Sequence, residues 1–143
     1  LGFAFKANTN DTRESAAINI CKNLLNEGAN LIINDPKVTA SQIENDLEIN
    51  ARNSSEIENS SLNEKSGTWE YSKSIYNLEI FNNAYAIIIL TEWEEFRQLN
   101  WTEIAKKMVP PAWVFDSRSM VNPKEVRDSG LSLWRLGDGL GDL

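Results

Sequence analysis

The stretch Leu1-Gly2-Phe3-Ala4-Phe5-Lys6-Ala7-Asn8-Thr9-Asn10-Asp11-Thr12-Arg13-Glu14-Ser15 decides how the chain is read. Residues 1–5 have the length and apolar character of a buried strand, and the strand runs straight into Lys6. Polar, turn-forming residues follow. Arg13 then stands at the threshold of an amphipathic helix over 14–27, where Ala17, Ile20, Cys21, Leu24 and Leu25 recur at i, i+3, i+4 spacing. Two fixed cations therefore fall at the carboxyl end of a strand and beside a helix amino terminus. In open α/β folds that is where anionic ligands, phosphates in particular, bind.

Outward from this stretch the two hydrophobic periods alternate. Asp11 or Thr12 is placed to cap the first helix, and Gly28 stands where a C′ glycine belongs. Residues 30–34 read as a strand closed by Asp35-Pro36, followed by a short helix over 39–47 that starts near Thr39 or Ser41. From 48 to 67 the composition turns to Asn, Ser and Glu, which predicts a mobile surface loop. Order resumes with a strand at 68–71, a helix over 73–83 and a strongly apolar central strand at 84–90. A helix over 101–108 is stopped by Pro110-Pro111. A strand at 112–115, an exit loop at 116–120, a helix at 123–128 and a last strand at 131–136 complete the chain. Strands alternating with helices at this spacing predict an α/β fold whose mainly parallel sheet is covered on both faces.

Composition narrows the chemistry. At 143 residues, 41% hydrophobic and with five tryptophans, the chain suits one globular domain, 1–143. A net charge of −7 argues against a nucleic-acid partner, which would require a basic face, but leaves room for a small anionic ligand. With no histidine, Ser-His-Asp and Cys-His catalysis and every His-ligated metal site are excluded. Cys21 is the sole cysteine, so neither a disulfide framework nor a thiolate cluster is available, and reducing, cytoplasmic surroundings fit best. No apolar run approaches the roughly 18 residues of a membrane span, and no membrane partner is expected. Opening on a core strand without methionine, the chain reads as cut from something longer.

Four positions carry the candidate chemistry. Lys6 is either a phosphate or sugar contact at a sheet edge or a solvated loop lysine. Arg13, read as lying in the first helical turn, opposes the helix dipole and calls for compensation by Asp11, Glu14 or an external anion; Glu14 is also placed for a capping box with Asp11. Arg118 follows an apolar strand at the same carboxyl edge, where a planar guanidinium suits bidentate phosphate contact, and Asp116 either orients it or begins the turn. Cys21, on the buried stripe, reads as an inert structural thiol. The glycine-rich end, 137–141, lacks the following helix that a dinucleotide fingerprint needs, and reads as a tail.

Gly2-Phe3-Ala4-Phe5-Lys6 with Thr9, Asp11 and Arg13-Glu14-Ser15 resembles the motif that opens the C-terminal, UDP-binding domain of UDP-glucose 6-dehydrogenases. The resemblance runs on through Asp35-Pro36-Lys37, Thr91-Glu92-Trp93, Lys106-Lys107-Met108 and Phe115-Asp116-Ser117-Arg118. It implies a Rossmann-like three-layer sandwich belonging to a larger enzyme. In that enzyme an upstream domain binds NAD, a central segment joins a homo-oligomer, and the sugar C6 alcohol is oxidised to a carboxylate in two hydride transfers. The resemblance places the catalytic cysteine upstream, so Cys21 is not it, and the isolated chain is expected to be inactive. Carried over by position, Phe5, Lys6 and Arg118 are implied substrate-binding residues for a UDP-sugar, and Arg13 an implied contact to the NAD cofactor. No metal is implied. The family's usual glycine is replaced by Ser117, which would be strained if that position required a positive φ.

Overall fold

The computed structural model describes residues 1–52 and 66–139. The chain falls into two compact units, Gly2–Lys73 and Leu1 with Ser74–Leu143.

In the first unit, helix α1 (Ala16–Asn26) buries Ala17, Cys21 and Leu25, one face repeating every four residues, while Ile20 and Leu24 are half-buried. Strand β1 (Leu31–Asn34) follows, then helix α2 (Ala40–Leu47), which buries Ile43 and Leu47 and packs against α1. Strand β2 (Trp69–Ser72) pairs in parallel with β1, Leu31 opposite Trp69 and Asn34 opposite Ser72. Gly28 ends α1 at φ 88°, donating to Leu25 O at 3.0 Å, as the sequence predicts. Thr39 caps α2 in a full capping box with Gln42. Gly67 has a different reason to be glycine: a Cβ there would stand 1.8 Å from the Ala29 carbonyl oxygen.

In the second unit, strand β3 (Ala86–Ile89), helix α3 (Trp101–Ala105), strand β4 (Trp113–Asp116), helix α4 (Pro123–Asp128) and strand β5 (Ser132–Arg135) form a parallel sheet of order β3-β4-β5. Leu1 runs beside β3, donating to Ile88 O at 2.6 Å and accepting from Leu90 N at 2.9 Å. Helix α4 packs on β5 and against α3. The buried residues Ile87, Ile89, Val114 and Leu133 alternate along the strands, as a covered sheet face requires. On the alternate positions Trp113 stacks on Phe115 at 5.6 Å between centroids, and Phe115 meets Trp134 at 6.4 Å.

The architecture is α/β with every assigned strand pair parallel, consistent with a Rossmann-like sandwich. Several elements differ from expectation. Residues 1–5 form no regular strand, because Phe3 and Ala4 give their N–H groups to a side chain rather than to a ladder. The first helix starts at Ala16, capped by Ser15 and not by Asp11 or Thr12. The helix predicted over 73–83 shrinks to one 3₁₀ turn, Leu78–Phe81, and that over 101–108 ends as α-helix at Ala105. The strongly apolar β3 lies beside the central β4. Most of the loop expected at 48–67 lies outside the described residues.

Candidate functional site

Within the first unit the site is built on Asp35, the residue after β1. Its side chain is fully buried, and its two oxygens share the work. Oδ2 accepts from Phe3 N (2.8 Å) and Ala4 N (3.0 Å), and Oδ1 from Lys37 N (2.8 Å) and Val38 N (2.9 Å). Four N–H donors satisfy a carboxylate that would otherwise be costly to bury. The same segment is held from its other side: Ser15 Oγ donates to Phe3 O at 2.7 Å while accepting from Ala17 N at the start of α1. Phe5 N then donates to Asp11 O at 2.8 Å. Out of this fixed backbone Phe5 projects 47% exposed, followed by an exposed Lys6.

Asn8, at φ 63°, reverses the chain toward Asp11. The Asp11 carboxylate takes Arg13 bidentately, Nε to Oδ1 at 3.0 Å and Nη2 to Oδ2 at 2.8 Å, and also accepts from Arg13 N. The Arg13 side-chain hydrogen bond, then its backbone N–H, with smaller help from the charges of Arg13 and Lys6, bring the Asp11 carboxyl down to about 2. Arg13 is raised in turn, first by that hydrogen bond. It remains 88% exposed, on the turn before α1 rather than in the helix, so the dipole argument for its compensation does not apply. Glu14, at φ 61°, forms no capping box, because the cap is Ser15.

The second unit repeats the device. Asp116 ends β4 fully buried, Oδ1 accepting from Arg118 N (3.0 Å) and Oδ2 from Met120 N (2.7 Å) and Val121 N (3.0 Å). Arg118 Nε donates to Leu90 O at 2.9 Å and lies 3.6 Å from Glu92 Oε2, and the residue is exposed. Ser117 is outside the left-handed region; the positive φ, 55°, belongs to Ser119. Serine is accommodated because its hydroxyl donates to Ile89 O at 2.7 Å.

Phe5, Lys6 and Arg13 thus sit on one loop of the first unit, and Arg118 on a loop of the second. Among the described residues no cluster of three or more His, Cys, Asp or Glu is placed to hold a metal. No described helix is long and apolar enough to cross a membrane. Sequence reasoning weighed Asp116 but passed over Asp35. The available signal was an aspartate closing an apolar run, which both positions share.

The family model described as "UDP-glucose/GDP-mannose dehydrogenase family, UDP binding domain" matches residues 1–123. The chain belongs to this family. As a member of the UDP-glucose/GDP-mannose dehydrogenase family it is similar to UDP-glucose 6-dehydrogenase 2 of Arabidopsis thaliana, 37% identical over 148 residues, which cover 99% of this chain and 30% of the relative. UDP-glucose 6-dehydrogenase 2 of Oryza sativa subsp. japonica and UDP-glucose 6-dehydrogenase 1 of Glycine max are each 37% identical over 146 residues, covering 98% of this chain and 29% of theirs. The chain therefore spans about 30% of the length of the curated relatives it matches.

Proposed function

We propose that this chain is the UDP-sugar-binding part of an NAD-dependent UDP-glucose 6-dehydrogenase, holding UDP-glucose while its C6 alcohol is oxidised to a carboxylate in two hydride transfers. The observation that carries the reading is the exposed Phe5-Lys6 pair on a backbone fixed by Asp35 and Ser15, in a chain of the UDP binding domain family.

The residues divide the task by their chemistry. Lys6 offers a mobile point charge suited to a diphosphate, and Phe5 an exposed ring against which an organic ligand can lie. Arg118 has its Nε committed to Leu90 O, and its terminal nitrogens are donors suited to a further anionic or carbonyl oxygen. Such remote binding fixes the reacting carbon without taking part in the chemistry. Arg13 suits the phosphates of NAD: Asp11 uses one edge of its guanidinium and leaves the rest exposed. NAD, when bound, accepts the hydride. Cys21 is 8% exposed, with a thiol raised to about 11 by burial, which supports a structural role and a catalytic cysteine elsewhere in the enzyme.

The test is NADH formation by the full-length protein with UDP-glucose, UDP-N-acetylmannosamine or GDP-mannose supplied separately. Two NADH per UDP-glucose, and little from the others, is the expected result. Preference for another sugar would move the protein to a sister activity, and no NADH from a folded protein would make it a nucleotide-binding module.

A further inference from the structure

Asp35 and Asp116 occupy equivalent places in their own units: each is fully buried at the carboxyl end of a parallel strand, and each gathers backbone N–H groups of a loop that bears an exposed cation. We propose that both are positioning residues for UDP-sugar binding, Asp35 acting through Phe5-Lys6 and Asp116 through Arg118. The inference rests on the substrate-binding reading above and assigns to two residues a role in it.

The geometry separates positioning from contact. Both carboxylates are fully buried and so are inaccessible to a ligand, and a carboxylate facing a diphosphate would repel it. What each does is decide where its loop backbone lies. Asp35 joins two segments far apart in sequence: Oδ1 serves the local turn at Lys37 and Val38, while Oδ2 holds Phe3 and Ala4, directly before the exposed pair. Asp116 fixes Arg118 N with one oxygen and the outgoing chain at Met120 and Val121 with the other, so the loop between cannot drift. A side chain can present its charge at a fixed point only if its own backbone is fixed.

Replacement by asparagine is the informative change. Size is kept, but one oxygen becomes an amide donor that faces backbone N–H groups, so one half of each network is lost whichever way the amide turns. Three explanations then predict different results. If the acids act only by their charge, neutralising them beside an anion site tightens UDP binding. If they serve folding alone, thermal stability falls and the folded protein binds UDP as before. If they position the cations, UDP binding weakens in protein that remains folded.

The experiment measures UDP affinity by calorimetry, and KM for UDP-glucose and for NAD, in full-length wild type, Asp35→Asn and Asp116→Asn. The expected result is a UDP dissociation constant raised about tenfold, equivalent to about 1.4 kcal/mol, a matching rise in KM for UDP-glucose, and, in Asp116→Asn, whose loop does not carry Arg13, an unchanged KM for NAD. Asp35→Asn placed on the double variant Phe5→Ala, Lys6→Ala should add little, because it acts through those side chains. Should Asp35→Asn fail to fold, Ser15→Gly releases the Phe3 carbonyl while glycine is still tolerated as a helix cap, and it too should weaken UDP binding. Unchanged or tighter UDP binding in the folded variants overturns the inference and leaves the substrate reading standing. No UDP binding by wild type overturns both.

Discussion

At the scale of single residues, the loop before α1 is tied by the bidentate Asp11–Arg13 pair. Because the folded carboxyl of Asp11 is held near 2, below its ordinary 3.8, its contribution to stability is complete above about pH 4 and is lost as pH falls through 2. Following the Asp11 carboxyl carbon by NMR should give a midpoint near 2 in wild type and a higher one in Arg13→Ala, still below the ordinary value because the residue-13 backbone N–H and the Lys6 charge remain. Cys21 runs the opposite way in pH. Its thiol is raised to about 11 by burial, so the neutral form favours the fold below pH 9 and that contribution is lost as pH rises through 11. Alkylation by iodoacetamide should be slow in the native protein at pH 8 and approach the rate of a free thiol only in denaturant. The identities of these residues were legible in the sequence; the Asp11–Arg13 fork was one of several partners open to Arg13, and the three-dimensional placement of Thr9, Asn8 and Asp11 is what selects it.

At the scale of elements, β1, β3 and β4 were readable as short apolar runs closed by Asn, Thr or Asp, β2 and β5 as alternating aromatic or aliphatic and polar residues, and all five fall within a residue or two of expectation. The opening segment was misread for a physical reason. Phe3 and Ala4 are buried as a strand's residues would be, but their N–H groups are satisfied by a carboxylate, and a hydrophobic pattern reports burial and not the hydrogen-bond acceptor. The helix over 73–83 failed because Asn77 caps a new turn and Asn82 and Asn83 close it, Asn83 at φ 59°. Caps remain testable element by element. Thr39→Ala removes the half of the α2 box in which the Thr39 hydroxyl accepts from Gln42 N, and should lower stability by about 1 kcal/mol in urea titration, with Thr39→Ser recovering most of it. Gly67→Ala drives a methyl into the Ala29 carbonyl and should lower stability by about 3 kcal/mol, detected the same way.

At the scale of the whole molecule, an acidic chain of net charge −7 carries its candidate ligand contacts on a few exposed cations, Lys6, Arg13 and Arg118. The chain's overall sign therefore says what it avoids, whereas local charge says what it can hold. Composition could show the first, and only the loops show the second. The buried Asp35 also has a chemical consequence for the intact polypeptide, since Pro36 follows it. An Asp-Pro peptide bond is the most acid-labile in an ordinary chain, because the aspartate carboxyl attacks its own backbone. Here both carboxylate oxygens are occupied by N–H groups. Scission between residues 35 and 36 should therefore be suppressed while the fold persists and begin once it is lost. Warm, mildly acidic buffer in which circular dichroism shows the fold intact, with and without urea, would turn that bond into a clock for unfolding: mass spectrometry should find the break first in the urea sample, and equal rates in both would show that the carboxylate is not held.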